Sequence, residues 1–243
     1  MRPLHIIMPM AGEGSRFQKE GWTIPKPLIE LHGIPLFIRA IRSVAVENVP
    51  MRYSFIVRKE HIDRYHIDEQ IKALLPEASI YFVQETTRGA VETCLIAENG
   101  IGSEDAILVM DCDLEFRSKA FIEYIWQSLL QSAELASGGA LVSFESDEPR
   151  YSYAAVDDDM IVKRTAEKEV ISHHALCGAY FFSSSKCFLR AAHRLLNEPV
   201  FDKPEYYVSL LYNYLLADGE VVRLATMEEY CSYGTPEELK RYL

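Results

Sequence analysis

The chain has 243 residues, 49% of them hydrophobic and 25% charged, and a formal net charge of −11. That composition supplies a full core and excludes a chain disordered over most of its length. An acidic balance repels nucleic-acid backbone and anionic lipid, so neither is an expected partner; a small anionic ligand needs only a local cluster of cations and N–H groups.

The apolar segment Leu4–Met8 predicts a buried first strand. His5 and Pro9 interrupt it and Gly12 and Gly14 follow at once, which fits a secretory leader poorly. No apolar run reaches the roughly 18 residues of a membrane-spanning helix. The five cysteines include no CxxC pair, so they read as reduced thiols of a cytoplasmic protein rather than a zinc or redox motif.

Leu36, Phe37, Ile38, Ile41 and Val44 recur at helical spacing and predict a helix over 35–46. A strand at 53–57, a helix over 61–75, a strand at 80–83 and a helix over 89–99 follow. The run Ala106–Met110 is a compact apolar strand, and a helix over 121–135 closes this half. Short strands alternating with helices predict an α/β fold with a mostly parallel central sheet flanked by helices. Ligands in such sheets bind at the carboxyl ends of strands. The second half predicts strands at 139–143, 153–156, 161–164, 179–182 and 221–224, with helices over 184–196 and 205–216. A last helix begins at Thr235, with Pro236 in its first position and Glu238 three residues after the cap. No linker divides the chain. The expectation is one domain over 1–243, with a nucleotide-binding half of about 1–135 and an acceptor-binding half of about 136–243.

Four segments carry chemistry. Directly after the first strand stands Ala11-Gly12-Glu13-Gly14-Ser15-Arg16-Phe17, and Pro25-Lys26-Pro27-Leu28 follows. Two glycines let backbone N–H groups approach a phosphate, and Arg16 can fork onto a polyphosphate. Flanking prolines restrict where the Lys26 ammonium can travel. There is no Gly-Lys-Ser/Thr to make a Walker loop, and Phe17 stands where a dinucleotide fingerprint has its third glycine. Asp111-Cys112-Asp113 ends the 106–110 strand, and hard carboxylate oxygens there suit Mg²⁺. Gln84 and Gly89-Ala90 lie after another strand, where Gln84 can read a base edge and Gly89 admits a base or ribose close to the backbone. Glu167-Lys168 can meet the hydroxyls and phosphate of an acceptor, or can form a solvated charged loop. Arg150-Tyr151-Ser152-Tyr153 can help shape the same pocket. Tyr206, Tyr207, Tyr212 and Tyr214 read as packing residues of a helix.

With these segments the chain resembles the sugar-phosphate nucleotidyltransferases, also called nucleoside-diphosphate-sugar pyrophosphorylases, in a compact bacterial branch associated with capsule or lipopolysaccharide genes. The resemblance rests on Gly12-Glu13-Gly14-Ser15-Arg16-Phe17, Pro25-Lys26-Pro27-Leu28, Gly89-Ala90, Asp113, Glu167-Lys168 before Gly178-Ala179-Tyr180-Phe181, and Gly234-Thr235-Pro236-Glu237-Glu238-Leu239. It implies a Rossmann-like nucleotide-diphospho-sugar transferase fold. It implies nucleotide binding by Ala11, Gly12, Gly14, Ser15, Arg16, Gln84, Gly89 and Ala90, with Arg16 on the leaving phosphates and Lys26 on the α-phosphate. Asp113 would hold Mg²⁺, with Asp111 beside it as a second carboxylate that the strand-end pair supplies, and Glu167, Lys168 and Gly178 would face the acceptor. Many members carry a second metal-binding Asp where this chain has Ser232.

The expected partners are a nucleoside triphosphate and a phosphorylated small-molecule acceptor, with a homo-oligomer left open. The expected reaction joins a nucleoside monophosphate to a sugar 1-phosphate. A phosphate monoester is largely dianionic near neutral pH, its second pKa being about 6, so the nucleophile arrives charged and no catalytic base is required. Two other acceptor chemistries fit the same segments: a cytidylyltransferase acting on a non-sugar phosphate, and a glycosyltransferase using Asp111-Cys112-Asp113 as its metal motif. A catalytically silent nucleotide-binding regulator is a further alternative, favoured by Ser232 alone.

Overall fold

The computed structural model describes residues 1–46, 48–198 and 202–243. After β1 (Leu4–Met10) come a short helix α1 (Ser15–Lys19), the paired β2 (Glu30–Leu31) and β3 (Ile34–Pro35), and α2 (Leu36–Arg42). Next are β4 (Met51–Arg58), α3 (Lys59–Tyr65), α4 (Ile67–Leu74), β5 (Ser79–Val83), α5 (Ala90–Leu95) and β6 (Ala106–Met110). β7 (Leu114–Arg117) and α6 (Lys119–Leu130) lead to β8 (Gly139–Glu145), β9 (Ser152–Val156), β10 (Val162–Glu167) and β11 (His174–Phe182). The chain closes with α7 (Ser185–Leu196), α8 (Leu211–Ala217), β12 (Val222–Thr226), β13 (Glu229–Ser232) and α9 (Pro236–Lys240).

β1 lies at the centre of a mixed sheet because it is apolar on both faces, which a strand covered by helices on either side requires. It pairs in parallel with β4 and β6, and β4 pairs in parallel with β5. β11 then runs antiparallel to β6 and carries β9, β10 and β8. β12 pairs in parallel with β8. The centre is therefore parallel, as expected, and β11 is the antiparallel strand that joins the two halves in one sheet.

Alternate residues of the central strands feed two cores. Ile6, Met8, Phe55 and Leu108 pack with Phe121, Ile125 and Leu129 of α6 on one face. Ile7, Ile56, Ile107 and Val109 pack with Val91, Phe188 and Leu211 on the other. A smaller cluster of Phe17, Ile29, Leu31, Leu36, Tyr233 and Leu239 draws the Gly-rich segment, the residue after the Pro-Lys-Pro-Leu turn and α9 together. Among the described residues, no helix is long and apolar enough to cross a membrane.

Several element boundaries differ from the expectation. The helix over 61–75 is two helices, because His66 adopts the left-handed conformation (φ 50°) between α3 and α4. The helix over 205–216 begins only at Leu211, after a 3₁₀ turn at Val208–Leu210, so Tyr206 and Tyr207 precede it in loop. The helix over 121–135 is α6, which starts earlier and stops at Leu130. β10 runs on to Glu167, which makes that residue a strand end instead of part of a charged loop. The strand over 179–182 is the last part of β11, which starts at His174.

Candidate active site

β1 and β6 are parallel neighbours, so the Gly-rich segment and Asp111-Cys112-Asp113 leave the sheet at the same edge. Phe17 and Ile29 are anchored in the small third cluster and Leu28 in the first core, so the Pro-Lys-Pro-Leu turn is held back over that edge. Lys26 Nζ thereby reaches Asp113 Oδ2 at 2.6 Å, although the residues are 87 apart in sequence. Their side chains are 26% and 17% exposed.

The pair stands in a cleft of about 350 Å³. Of the sequence candidates, Arg16, Lys26, Ala90, Asp111, Asp113, Glu167 and Gly178 all line it. Gly12 and Gly14 line an adjoining recess with Lys26, Asp111 and Asp113. Ala11 is buried, and its carbonyl accepts from Arg58 Nη1 at 3.2 Å. Gly89 is the N-cap of α5 (φ 144°), and Tyr206 packs so close that a Cβ there would lie 2.4 Å from its backbone nitrogen. Ser15, Gln84 and Lys168 also lie outside the cleft lining. Ser15 opens α1 on an exposed turn and Gln84 is exposed just past β5. Lys168 has its ammonium 2.8 Å from the Tyr207 hydroxyl, which accepts from it.

Charge in the cleft is unevenly compensated. Burial alone would pull the Lys26 ammonium down, but the Asp113 carboxylate beside it more than offsets this, and Lys26 titrates above the usual lysine range. Asp111 is reached by water from the cleft, and its carboxylate makes no hydrogen bond or ion pair among the described residues. The protein packed round it, then the negative charges of Asp113 and Glu167, push its carboxyl up; Lys26 acts the other way. Burial likewise raises Glu167 above the usual range, against the hydroxyls of Ser152 and Ser209, which both donate to its Oε2.

Gly178 explains how Asp111 keeps its place. The β11–β8 register slips between Leu176 and Tyr180, and Gly178 at φ 99° takes the kink. Its carbonyl accepts from the Asp111 backbone N–H at 2.9 Å, and a Cβ at this position would lie 2.4 Å from Asp111 Oδ2. No L side chain suits that backbone, so the close approach of strand to carboxylate depends on glycine.

Residues with less sequence signal line the cleft beside Asp113. Glu238 completes the capping box of α9, as the Thr-Pro-Glu-Glu pattern predicts. Its Oε2 also accepts from Ser232 Oγ at 2.8 Å, and Oε1 pairs with Arg150 Nη2 at 2.8 Å. Where many members of the resembled family have a second Asp, this chain thus places a Ser–Glu–Arg chain of contacts. Tyr180, Tyr207 and Tyr230 line the cleft too. Helical periodicity hid Tyr207, because its neighbours Tyr212 and Tyr214 do belong to a helix.

The carboxylates suit a hard divalent cation. Among the described residues Asp111 has no side-chain partner and Asp113 has Lys26 alone, and their mutual repulsion is what such an ion relieves. Among the described residues no three His, Cys, Asp or Glu side chains converge on one point. Mg²⁺ commonly takes one or two carboxylates and fills its shell with water and substrate phosphate, so a two-carboxylate site fits it.

The MobA-like NTP transferase domain matches residues 6–198, most of the chain. The chain belongs to this family of NTP transferases. Compared by sequence with curated proteins, it has no significant match. Among solved structures, this NTP transferase is similar to the nucleoside-diphosphate-sugar pyrophosphorylase of Vibrio cholerae RC9: 28% identity, a TM-score of 0.83, and coverage of 98% of this chain and 99% of that one. It is also similar to a candidate glucose-1-phosphate thymidylyltransferase from Bacillus anthracis (20%, TM-score 0.76, coverage 99% and 93%). The inositol-1-phosphate CTP transferase of T. maritima is similar as well (16%, 0.72, 100% and 94%). These last two, at low identity, speak to the fold alone. The NTP transferase therefore has the expected nucleotidyltransferase fold, and its Gly-rich loop and strand-end aspartates lie in the part that the family match covers.

Proposed function

We propose that this protein is a Mg²⁺-dependent nucleotidyltransferase that converts a nucleoside triphosphate and a sugar 1-phosphate to a nucleoside-diphosphate sugar and pyrophosphate. The whole chain acts as one domain, the first half holding nucleotide and the second half the acceptor. The observation that carries the reading is the 2.6 Å approach of Lys26 to Asp113 in a cleft that Glu167 also lines.

An acceptor phosphate oxygen attacks the α-phosphorus, the new P–O bond forms, and the bond to the bridging oxygen of the β-phosphate breaks. Electrons pass to that oxygen, which departs in pyrophosphate. No proton needs to move, because the attacking monoester is already largely dianionic, its second pKa being about 6. The work of the protein is positioning and charge neutralisation. Lys26 leaves Asp113 in part to meet the α-phosphate. Arg16, exposed at the cleft edge and free of partners among the described residues, meets the phosphate tail. Asp111 and Asp113 would hold Mg²⁺, which supplies charge neutralisation at the phosphates. The Glu167 oxygen that Ser152 and Ser209 do not engage accepts hydroxyl hydrogens of the acceptor. The five free thiols accord with a reducing, cytoplasmic setting, and a product of this class would feed polysaccharide synthesis.

One feature favours a second acceptor class. Glu167 lies in a cleft lined by Tyr180, Tyr207 and Tyr230, and aromatic faces beside a carboxylate also suit an ammonium group. A screen of four nucleoside triphosphates against sugar 1-phosphates, phospho-alcohols and phospho-amines, read by pyrophosphate release, tests both. Release with a sugar 1-phosphate supports the main reading, and release only with a phospho-amine supports the second. No release with any pair defeats both.

A further inference from the structure

We propose that Arg150 holds the phosphate of the acceptor, in the place that the sequence gives to Lys168; this rests on the nucleotidyltransferase reading above. The reaction sets the requirement. A dianionic monoester must close on a triphosphate that is itself multiply negative, so a cation is needed on the attacking phosphate as well as on the one attacked. Among the described residues, three cations line the cleft: Arg16, Lys26 and Arg150. Arg16 meets the phosphate tail and Lys26 the α-phosphate. Lys168 does not line the cleft, because a left-handed backbone at φ 55° turns its ammonium to the Tyr207 hydroxyl. Arg150 is the cation that remains.

Its position fits the task. Arg150 lies in the turn between β8 and β9, where the Tyr151 N–H donates to the Glu148 carbonyl at 3.3 Å. Two residues on, Ser152 is the ladder partner of Glu167 at the end of β10, and its hydroxyl donates to that carboxylate. Neighbouring strand ends therefore meet the acceptor's phosphate and its hydroxyls. On its other side Arg150 Nη2 pairs with Glu238 Oε1 at 2.8 Å. A Cβ at Gly234 would lie 3.3 Å from Glu238 Oε2 and 3.3 Å from Asp113 Oδ2, so these two oxygens stand at most twice that distance apart. Asp113 Oδ2 is the atom that Lys26 contacts at 2.6 Å. The guanidinium and the Lys26 ammonium are thus linked through two nearby carboxylates, one cation on the acceptor side of the cleft and one on the nucleotide side.

The guanidinium is fixed and still has donors to offer. Nε pairs with Glu148 Oε2 at 2.8 Å, Nη2 donates to the Tyr151 hydroxyl as well as to Glu238, and the group lies 4.5 Å above the centre of the Tyr151 ring. A guanidinium has five N–H groups, and the two on Nη1 make no hydrogen bond among the described residues. A planar fork already held at three points loses little freedom on taking a phosphate oxygen. Its two carboxylate partners do not disable it. The Glu148 pair is exposed, and such a pair is weak enough to yield to a ligand. Glu238 also accepts from the Ser232 hydroxyl at 2.8 Å and the Thr235 N–H at 3.1 Å, so its charge is shared with the start of α9.

The test uses inorganic phosphate as the probe, its binding followed by ³¹P NMR. The protein is first saturated with magnesium and with whichever α,β-methylene triphosphate of the four bases binds tightest, so that the nucleotide's own phosphate sites are filled. Arg150→Gln is expected to bind inorganic phosphate about tenfold more weakly or worse, as loss of a charge-assisted hydrogen bond predicts. Arg150→Lys should recover part of the loss, and affinity for the methylene triphosphate should hold in both variants. Circular dichroism checks that each folds. In turnover, the acceptor KM should rise in Arg150→Gln while the triphosphate KM holds. Absence of phosphate binding by the parent, parent-like phosphate affinity in Arg150→Gln, a loss confined to Lys168→Gln, or an equal loss of methylene triphosphate affinity would overturn the assignment. Phosphate bound through Arg150 with no pyrophosphate release from any triphosphate–acceptor pair would retain the anion site and remove the nucleotidyltransferase reading. Release with an acceptor KM in Arg150→Gln equal to the parent's would do the reverse.

Discussion

Replacing Lys26 by Ala removes one side chain with two jobs, and the structure separates their sizes. In the free protein the ammonium neutralises Asp113 at 2.6 Å. Breaking a fully buried ion pair from one side costs about 3–5 kcal/mol. Here the partners are 26% and 17% exposed and open to cleft water, so screening reduces the loss to roughly 1–2 kcal/mol. For a chain of this length that lowers Tm by about 2–8 °C. On the reacting complex the same ammonium is a preorganised contact to the α-phosphate, and losing such a contact costs on the order of 10²–10³ in turnover, about 2.7–4 kcal/mol. The two effects are therefore distinguishable: at 25 °C the variant stays folded and is catalytically impaired. The assay is pyrophosphate release at saturating triphosphate and acceptor, with thermal unfolding followed in parallel. Turnover equal to the parent's in a folded variant refutes the role given to Lys26.

Glu167→Gln is expected to raise the acceptor KM roughly tenfold to hundredfold, the worth of a hydrogen bond to a charged group, while the triphosphate KM holds. Because the Glu167 carboxyl titrates above its unfolded value, the folded state keeps its proton longer. Stability attributable to this group is thus greatest below the ordinary carboxylate range and is lost as pH rises through the folded pKa. The Gln variant should lack that part of the decline, which urea unfolding at a series of pH values measures. Gly178→Ala forces a Cβ to 2.4 Å from Asp111 Oδ2 at a φ of 99°. We expect about 1–2 kcal/mol of lost stability, and also weaker Mg²⁺ binding by calorimetry; unchanged binding would detach Asp111 from the metal. Chelation of divalent cations should abolish pyrophosphate release and added Mg²⁺ should restore it, whereas activity that persists in excess chelator counts against the metal.

Much of the nucleotide half was legible because its signals are local. Ala106–Met110 is an unbroken apolar run, and it is β6 residue for residue. Lys26 beside Asp113 followed from two strand-end motifs in a parallel sheet, since the topology puts both ends on one edge. The acceptor half was harder for reasons visible in particular residues. Glu167-Lys168 reads from sequence either as an acceptor contact or as a solvated charged loop, and what sets Glu167 apart, the hydroxyls of Ser152 and Ser209 that bury it, is distant in sequence. The four-residue pairing of β7 with β13 joins Arg117 to Glu229 and has no local pattern to betray it. His66 breaks a helix in a left-handed conformation usually marked by Gly or Asn, so the periodicity ran straight through it. Lys168 shows the converse: the sequence pairs it with Glu167, but backbone at φ 55° sends its ammonium to Tyr207.

The most direct measurement is a crystal structure with Mg²⁺ and a triphosphate whose α,β-bridging oxygen is replaced by methylene. The α-phosphate should lie within hydrogen-bonding distance of Lys26, with the metal on Asp113 and an open line from the phosphorus to Glu167. A nucleotide seated away from the Lys26–Asp113 edge, or a triphosphate whose α-phosphorus faces away from the Glu167 cleft, contradicts the account.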